Sequence, residues 1–254
     1  MTTKRKQLIH ALLKGIETGD PTSVEVVNQD QYIQHNPHTH EGGEGLAALF
    51  KRLSETNPKV NIVRLFSDGD FVFGQTEYDF SSQRVGFEVF RFEGEQTVEH
   101  WDNIQSRMGP NASGHSMVDG ETKVSELDKT EANREIIRGF VTDVLISKQF
   151  GLLEKIVSDR IVEHSPHSCD GVEALLETLT AKQETGETIV RYKKLHKLLA
   201  EGNFVLAICE GYKVDMHTAF YDLFRLDESK IVEHWGTIES IASRDEWKND
   251  NGKF

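Results

Sequence analysis

"FEVFRFEGEQTVEHWDNIQ" at residues 87–105 returns as "YDLFRLDESKIVEHWGTIE" at residues 221–239. In each copy two runs alternate apolar with polar residues across a short polar break. That period-two pattern belongs to paired strands with one buried face. It predicts strands over 84–92 and 96–106, and again over 218–227 and 230–240. Other pieces recur in the same order, "SDGDFVF" (67–73) as "AEGNFVL" (200–206) and "HNPHTHEG" (35–42) as "HSPHSCDG" (164–171). His35 to His164 is 129 positions and His100 to His234 is 134, so one unit was copied with about five residues inserted in the second. A period this long means duplicated domains rather than a solenoid. The turn-rich stretch "MGPNASGHSMVDGETKVSEL" (108–127) marks the boundary, giving domains over 1–110 and 129–254 and a linker over 111–128.

Within each unit helices come first and strands follow. Leu8, Leu12, Leu13 and Ile16 share a helical face over 4–18, and Gly19-Asp20-Pro21 stops that helix. Ile136, Ile137, Phe140, Val144 and Leu145 play the same part in the copy, with Thr130 as cap. A short second helix (22–29; 150–157), the histidine turn and a third helix (44–56; 171–184) come next. Further strands are expected over 59–66 and 70–80, and over 188–199 and 203–214, with Asp68-Gly69 as a hairpin turn. The class is α+β, each unit a mostly antiparallel sheet packed on its N-terminal helices.

The chain has 254 residues, 29 Lys and Arg against 42 Asp and Glu, and a formal charge of −13. Such an acidic balance argues against nucleic acid as a partner. No apolar run reaches the roughly 20 residues that span a bilayer, and "MTTKRKQLIHALLKG" is not a signal peptide. Two cysteines cannot build a disulfide framework, so the cytoplasm is the expected setting.

"YIQHNPH", "TVEHWDNIQ" and "GHSMVDG" in the first half, and "HSPH", "IVEHWGTIE" and "EWKNDNGKF" in the second, resemble the SnoaL-like branch of the NTF2-like superfamily. The resemblance covers nearly the whole chain twice. It implies two tandem cone-shaped domains, each a curved sheet wrapped round helices with a pocket inside. It also implies cofactor-independent chemistry, such as cyclisation, isomerisation or aldol condensation, on a small carbonyl-bearing apolar molecule. Fold alone does not settle function.

Alternation along the last strand of the first unit puts Val98, His100, Asp102 and Ile104 on one face and Glu99, Trp101 and Asn103 on the other. If the first face lines the cone, desolvation raises the pKa of Asp102 and makes it a base near neutrality. The resemblance favours Asp102 as the general acid/base. His100, His35 and His38 are the candidate donors to an enolate oxygen, and no metal or organic cofactor is required. The structural alternative is that these side chains satisfy one another without catalysis. In the second unit Gly236 stands where Asp102 stands in the first, while His164, His167 and His234 remain. Asp222 matches Glu88, each beside phenylalanines, and both are expected in a ligand pocket. The second unit therefore either keeps a pocket without the chemistry or uses Asp222 instead.

Metal binding is the rival reading, through His35, His38, His40 and His100, or His164, His167, Cys169 and His234. The prolines and the lack of helical His spacing weigh against it, and no metal is assigned. A binding or scaffold protein that holds a ligand without turnover is the alternative from another class. Trp101 and Trp235 are expected in sheet-to-sheet contacts, which would make the chain an internal pseudo-dimer able to form homo-oligomers. His115 and Met117 are expected over the mouth of the first pocket, or exposed.

Overall fold

The computed structural model describes residues 2–254. Two compact units divide the chain: unit 1 comprises 1–107 and 242–254, and unit 2 comprises 108–241. The segment expected as a linker, 111–128, thus belongs wholly to unit 2, and the last thirteen residues belong to unit 1.

Unit 1 opens with α1 (Thr2–Thr18). Ile9, Leu12, Leu13 and Ile16 recur at helical spacing and are buried. Gly19, at φ +66°, ends the helix in a left-handed turn. The expected second helix is only a 3₁₀ turn over Pro21–Val26, capped by Asp20, whose carboxylate accepts from Thr22 N at 2.9 Å. A two-residue strand, β1 (Ile33–Gln34), follows, and then α2 (Gly42–Ser54), whose Leu46 and Phe50 are buried. Four strands complete the unit: β2 (Lys59–Asp68), β3 (Phe71–Asp79), β4 (Gln83–Glu93) and β5 (Gln96–Ser106). The order across the sheet is β1-β5-β4-β3-β2. Only the β1–β5 pairing is parallel. Register shifts at Ile62/Arg64 and Arg91/Phe92 bend the sheet about the helices, as an unpaired extra residue does.

Unit 2 repeats the plan. α3 (Thr130–Gly139) runs on in wider π-type turns over 140–146, burying Ile137, Phe140, Val141 and Val144. Thr130 is its first residue rather than its cap; the Thr130 hydroxyl accepts from Gly202 N at 2.9 Å. Of the helix expected over 150–157, only a 3₁₀ turn and α4 (Leu153–Ile156) form, and the chain then enters β6 (Val157–Glu163). α5 (Val172–Thr180) precedes β7 (Val190–Glu201), β8 (Phe204–Lys213), β9 (Met216–Asp227) and β10 (Lys230–Ser240). The order is β6-β10-β9-β8-β7, with β6 parallel to β10. Each sheet packs on its own apolar core. Among the described residues no helix is long and apolar enough to cross a membrane.

Candidate active site

The β4–β5 register sets Glu88 opposite Asp102 and Phe90 opposite His100, all on the face turned toward the helices. β1 adds Gln34 beside His100. Leu12, Leu13 and Ile16 of α1 and Leu46 and Phe50 of α2 wall the space above them, enclosing a cavity of about 190 Å³. Tyr32, Asn36, Thr39, Arg52 and Tyr78 add to the polar lining. The last contributor comes from the far end of the chain. Lys253, buried, places its ammonium 3.4 Å from Asp102 Oδ1.

Hydrogen bonds fix where protons sit. Asn36 N donates to Gln34 Oε1 at 2.9 Å, which orients that amide. His100 Nδ1, 3.0 Å from the same oxygen, therefore carries a hydrogen. Its Nε2 lies 2.7 Å from Glu88 Oε2, and Tyr78 donates to Glu88 Oε1 at 2.6 Å. Burial pushes the Glu88 carboxyl above its ordinary range despite the hydrogen bonds from His100 and Tyr78. Asp102 goes the other way. Burial disfavours its charge, but the Lys253 ammonium, His100 and the Asn36 amide, which donates at 2.6 Å, outweigh burial and hold the carboxyl below its ordinary value. The rise expected of Asp102 from desolvation does not occur, because the buried lysine reverses the sign. Tyr32 carries a buried hydroxyl with no hydrogen-bond partner, and burial beside Glu88 and Asp102 pushes its pKa far up, so it stays a donor.

Three expected residues, His100, Asp102 and Glu88, therefore meet in the cavity, and His38, exposed, stands at its rim. His35 does not join them. Gln34 takes the inward position on β1, so the next residue points away, and His35 stacks on Trp101 with ring centroids 4.6 Å apart. Its Nε2 meets Glu99 at 2.9 Å and its Nδ1 donates to the Gly252 carbonyl at 2.9 Å. Trp101 is occupied by this stack. Tyr32, Tyr78, Gln34, Asn36 and Lys253 were missed from sequence. Only the tyrosines gave a signal, as polar-tipped aromatics flanking apolar runs.

In unit 2, Asp222 and His234 occupy the corresponding face beside Phe224, whose ring stacks on His234 at 4.8 Å. Tyr192 donates to Asp222 at 3.0 Å, now from β7 rather than from the strand that carries Tyr78. Glu163 replaces Gln34. It sits 2.8 Å from His234 Nδ1, and Asp222 is 3.1 Å from Nε2. Burial alone would lower His234, but Glu163 and Asp222 overcome it and raise its pKa to about 10. His164 lies on the other face, stacked on Trp235 at 4.7 Å, and His167 and Cys169 are exposed. His115 and Met117 lie in unit 2, His115 half-buried and Met117 buried.

Neither histidine-turn set assembles as a metal site. Among the described residues two donor groups converge within 4.8 Å: Glu88, His100 and Asp102, where the Lys253 ammonium holds the aspartate, and His115, Asp119 and His164.

No family model matches the chain, and no curated protein matches it in sequence. Solved structures do. TsrD from Streptomyces laurentii is 19% identical, with 41% of this chain covering 89% of that one at a TM-score of 0.37. An LEH-like epoxide hydrolase of M. tuberculosis is 20% identical, with 41% covering 84% at a TM-score of 0.37. An NTF2-like protein of unknown function from Mesorhizobium loti is 19% identical, with 46% covering 99% at a TM-score of 0.38. Helices come first, then an antiparallel meander whose last strand is flanked by a short parallel one, and both units repeat this order: the chain is a tandem α+β duplication, as the recurring sequence motifs implied.

Proposed function

We propose that unit 1 is an acid/base enzyme acting on a small, largely apolar carbonyl compound, and that unit 2 lacks this chemistry. What carries the reading is two carboxylates lining one apolar cavity with protonation displaced in opposite directions, Asp102 down and Glu88 up. Such splitting of neighbouring acids separates a base from an acid.

Asp102, ionised, takes a proton from the carbon next to the substrate carbonyl. The Tyr32 hydroxyl, with no hydrogen-bond partner among the described residues, donates to the enolate oxygen as charge builds there, in surroundings where such a bond is strong. The Glu88–His100 pair then delivers a proton, either to carbon, giving an isomer, or to the alkoxide left when the enolate attacks a second carbonyl. The proton held by Asp102 returns through the same pair. A low-pKa aspartate is a weak base, so the donors supply much of the driving force. Unit 2 has Gly236 in place of the base, and His234 is held protonated between two carboxylates.

The test is solvent deuterium exchange at the α-carbon across a panel of ketones, diketones and keto esters, read by mass spectrometry on the full chain. Asp102→Asn should slow exchange by about 10²–10⁴-fold, the scale of general-base catalysis. Exchange at the wild-type rate in Asp102→Asn removes the assignment. Binding of these compounds without exchange makes unit 1 a carrier instead.

A further inference from the structure

The turn that closes over His164 has no part in the reading above. Residues 111–120 fold back onto the histidine turn of unit 2, held at both ends. Asn111 Nδ2 donates to the Glu163 carbonyl at 2.6 Å, and Asn111 Oδ1 accepts from Ser113 N and His115 N at 3.0 Å each. Trp235 Nε1 donates to the Asp119 carbonyl at 2.8 Å. Gly120, at φ +90°, closes the turn. A Cβ there would fall 2.0 Å from Glu233 Oε1, so only glycine lets the loop come down this far.

We infer that unit 2 binds a divalent cation of the zinc class at His115, Asp119 and His164. A nitrogen of each imidazole and an Asp119 oxygen lie within 4.8 Å of one another, a two-nitrogen, one-oxygen donor set that suits zinc with water in the fourth position. The His164 ring is braced from behind, and the His115 ring is held by a carboxylate. His164 Nε2 is 2.9 Å from Glu233, which Arg225 holds at 2.6 Å, and His115 Nε2 is 3.1 Å from Asp170. A carboxylate behind a ligating imidazole, as Glu233 stands behind His164, fixes ring orientation and raises its strength as a ligand. His164 Nδ1 faces Asp119 Oδ1 at 2.7 Å and the Ser116 carbonyl at 2.9 Å. The cation takes the place of the proton in that contact, and the proton leaves to solvent. His164 is a buried anchor, whereas His115 and Asp119 are 32% and 48% exposed along their side chains, which gives an ion a way in.

Unit 1 supplies the internal control. Asn249 clamps its histidine turn as Asn111 does, donating to the carbonyls of Asn36 and Thr39. His35 stacks on Trp101 and is braced by Glu99 and Arg91 as His164 is by Glu233 and Arg225. Four residues past the clamp, however, His115 is replaced by Lys253, whose ammonium turns to Asp102, and His35 Nδ1 meets a backbone carbonyl. The same frame carries a donor set in one unit and none in the other.

The full-length protein, freed of any affinity tag and stripped with EDTA, should be titrated with Co²⁺ under optical detection and with Zn²⁺ by competition. One Co²⁺ per chain with visible d–d absorption is expected. His115→Ala and Asp119→Asn should each weaken binding by about a hundredfold, with His167→Ala within about twofold of wild type. Absence of Co²⁺ binding, affinity unchanged in both His115→Ala and Asp119→Asn, or a loss caused by His167→Ala would each overturn the site.

Discussion

Lys253 is the residue on which the electrostatics of the first cavity turn, and Lys253→Met puts a number on it. Its ammonium and the Asp102 carboxylate are 3.4 Å apart, with side chains only 2% and 6% exposed. In surroundings of effective dielectric about 20, two unit charges at that distance attract by about 5 kcal/mol. Removing one partner of a buried pair typically costs about 3–5 kcal/mol, since the other charge is left alone. Asn36 still donates to Asp102 Oδ2 at 2.6 Å, so a loss of about 3 kcal/mol is expected. The sign with pH follows from Asp102. Its folded pKa lies below the ordinary 3.8, so its stabilisation is present above that value and is lost as pH falls through the folded one. The cost of Lys253→Met should be full at neutral pH and should fade in acid, where the stranded carboxyl takes up a proton. Urea unfolding at pH 7 and at pH 3–4, repeated in an Asp102→Asn background, reads this directly. In that background the lysine should be worth less than about 1 kcal/mol, the scale of a pair no longer charged on both sides. Equal costs in both backgrounds, or a cost that persists in acid, would refute the reasoning.

Glu163→Gln should let the pKa of His234 fall from about 10 toward its ordinary value, because Glu163 is the chief attraction that raises it. Histidine NMR titration reads the shift, and no change would contradict the sandwich geometry. Folded His234 keeps its proton well past the 6.5 at which it is lost unfolded, so its stabilisation is whole below about pH 6.5 and drains away as pH climbs through about 10. The variant should lose most of that slope in thermal unfolding. Gly236→Asp would set another carboxylate beside Asp222, whose Oδ1 is already 3.1 Å from where a Cβ would stand, where the one nearby His234 cation is already shared by Glu163 and Asp222. A loss of about 3 kcal/mol is expected, against much less for Gly236→Ala. Equal losses would make the effect steric rather than electrostatic.

The sheets were legible because alternation over ten or more residues, given twice, fixes both strand and face. Glu88, His100 and Asp102 follow from that parity. The short parallel strand was not legible, since Ile33–Gln34 is too brief to show a period, and its parity is what sends Gln34 inward and His35 outward. The second helices failed for a related reason. Pro21 and the run Val157–Glu163 favour a turn and a strand, where only a short apolar stretch suggested a helix. The protonation of Asp102 was beyond any local reading, because its partner lies 151 positions along the chain.

Each repeat is finished by chain that follows the last strand of the other. Residues 108–126 lie in unit 2, and 242–254 lie in unit 1. Cleaving the polypeptide where the duplication suggests would therefore yield two fragments, each missing its closing piece and carrying its sibling's. A cut after residue 128 would leave Asp102 in one fragment and its buried partner Lys253 in the other, so neither half could close the first cavity alone.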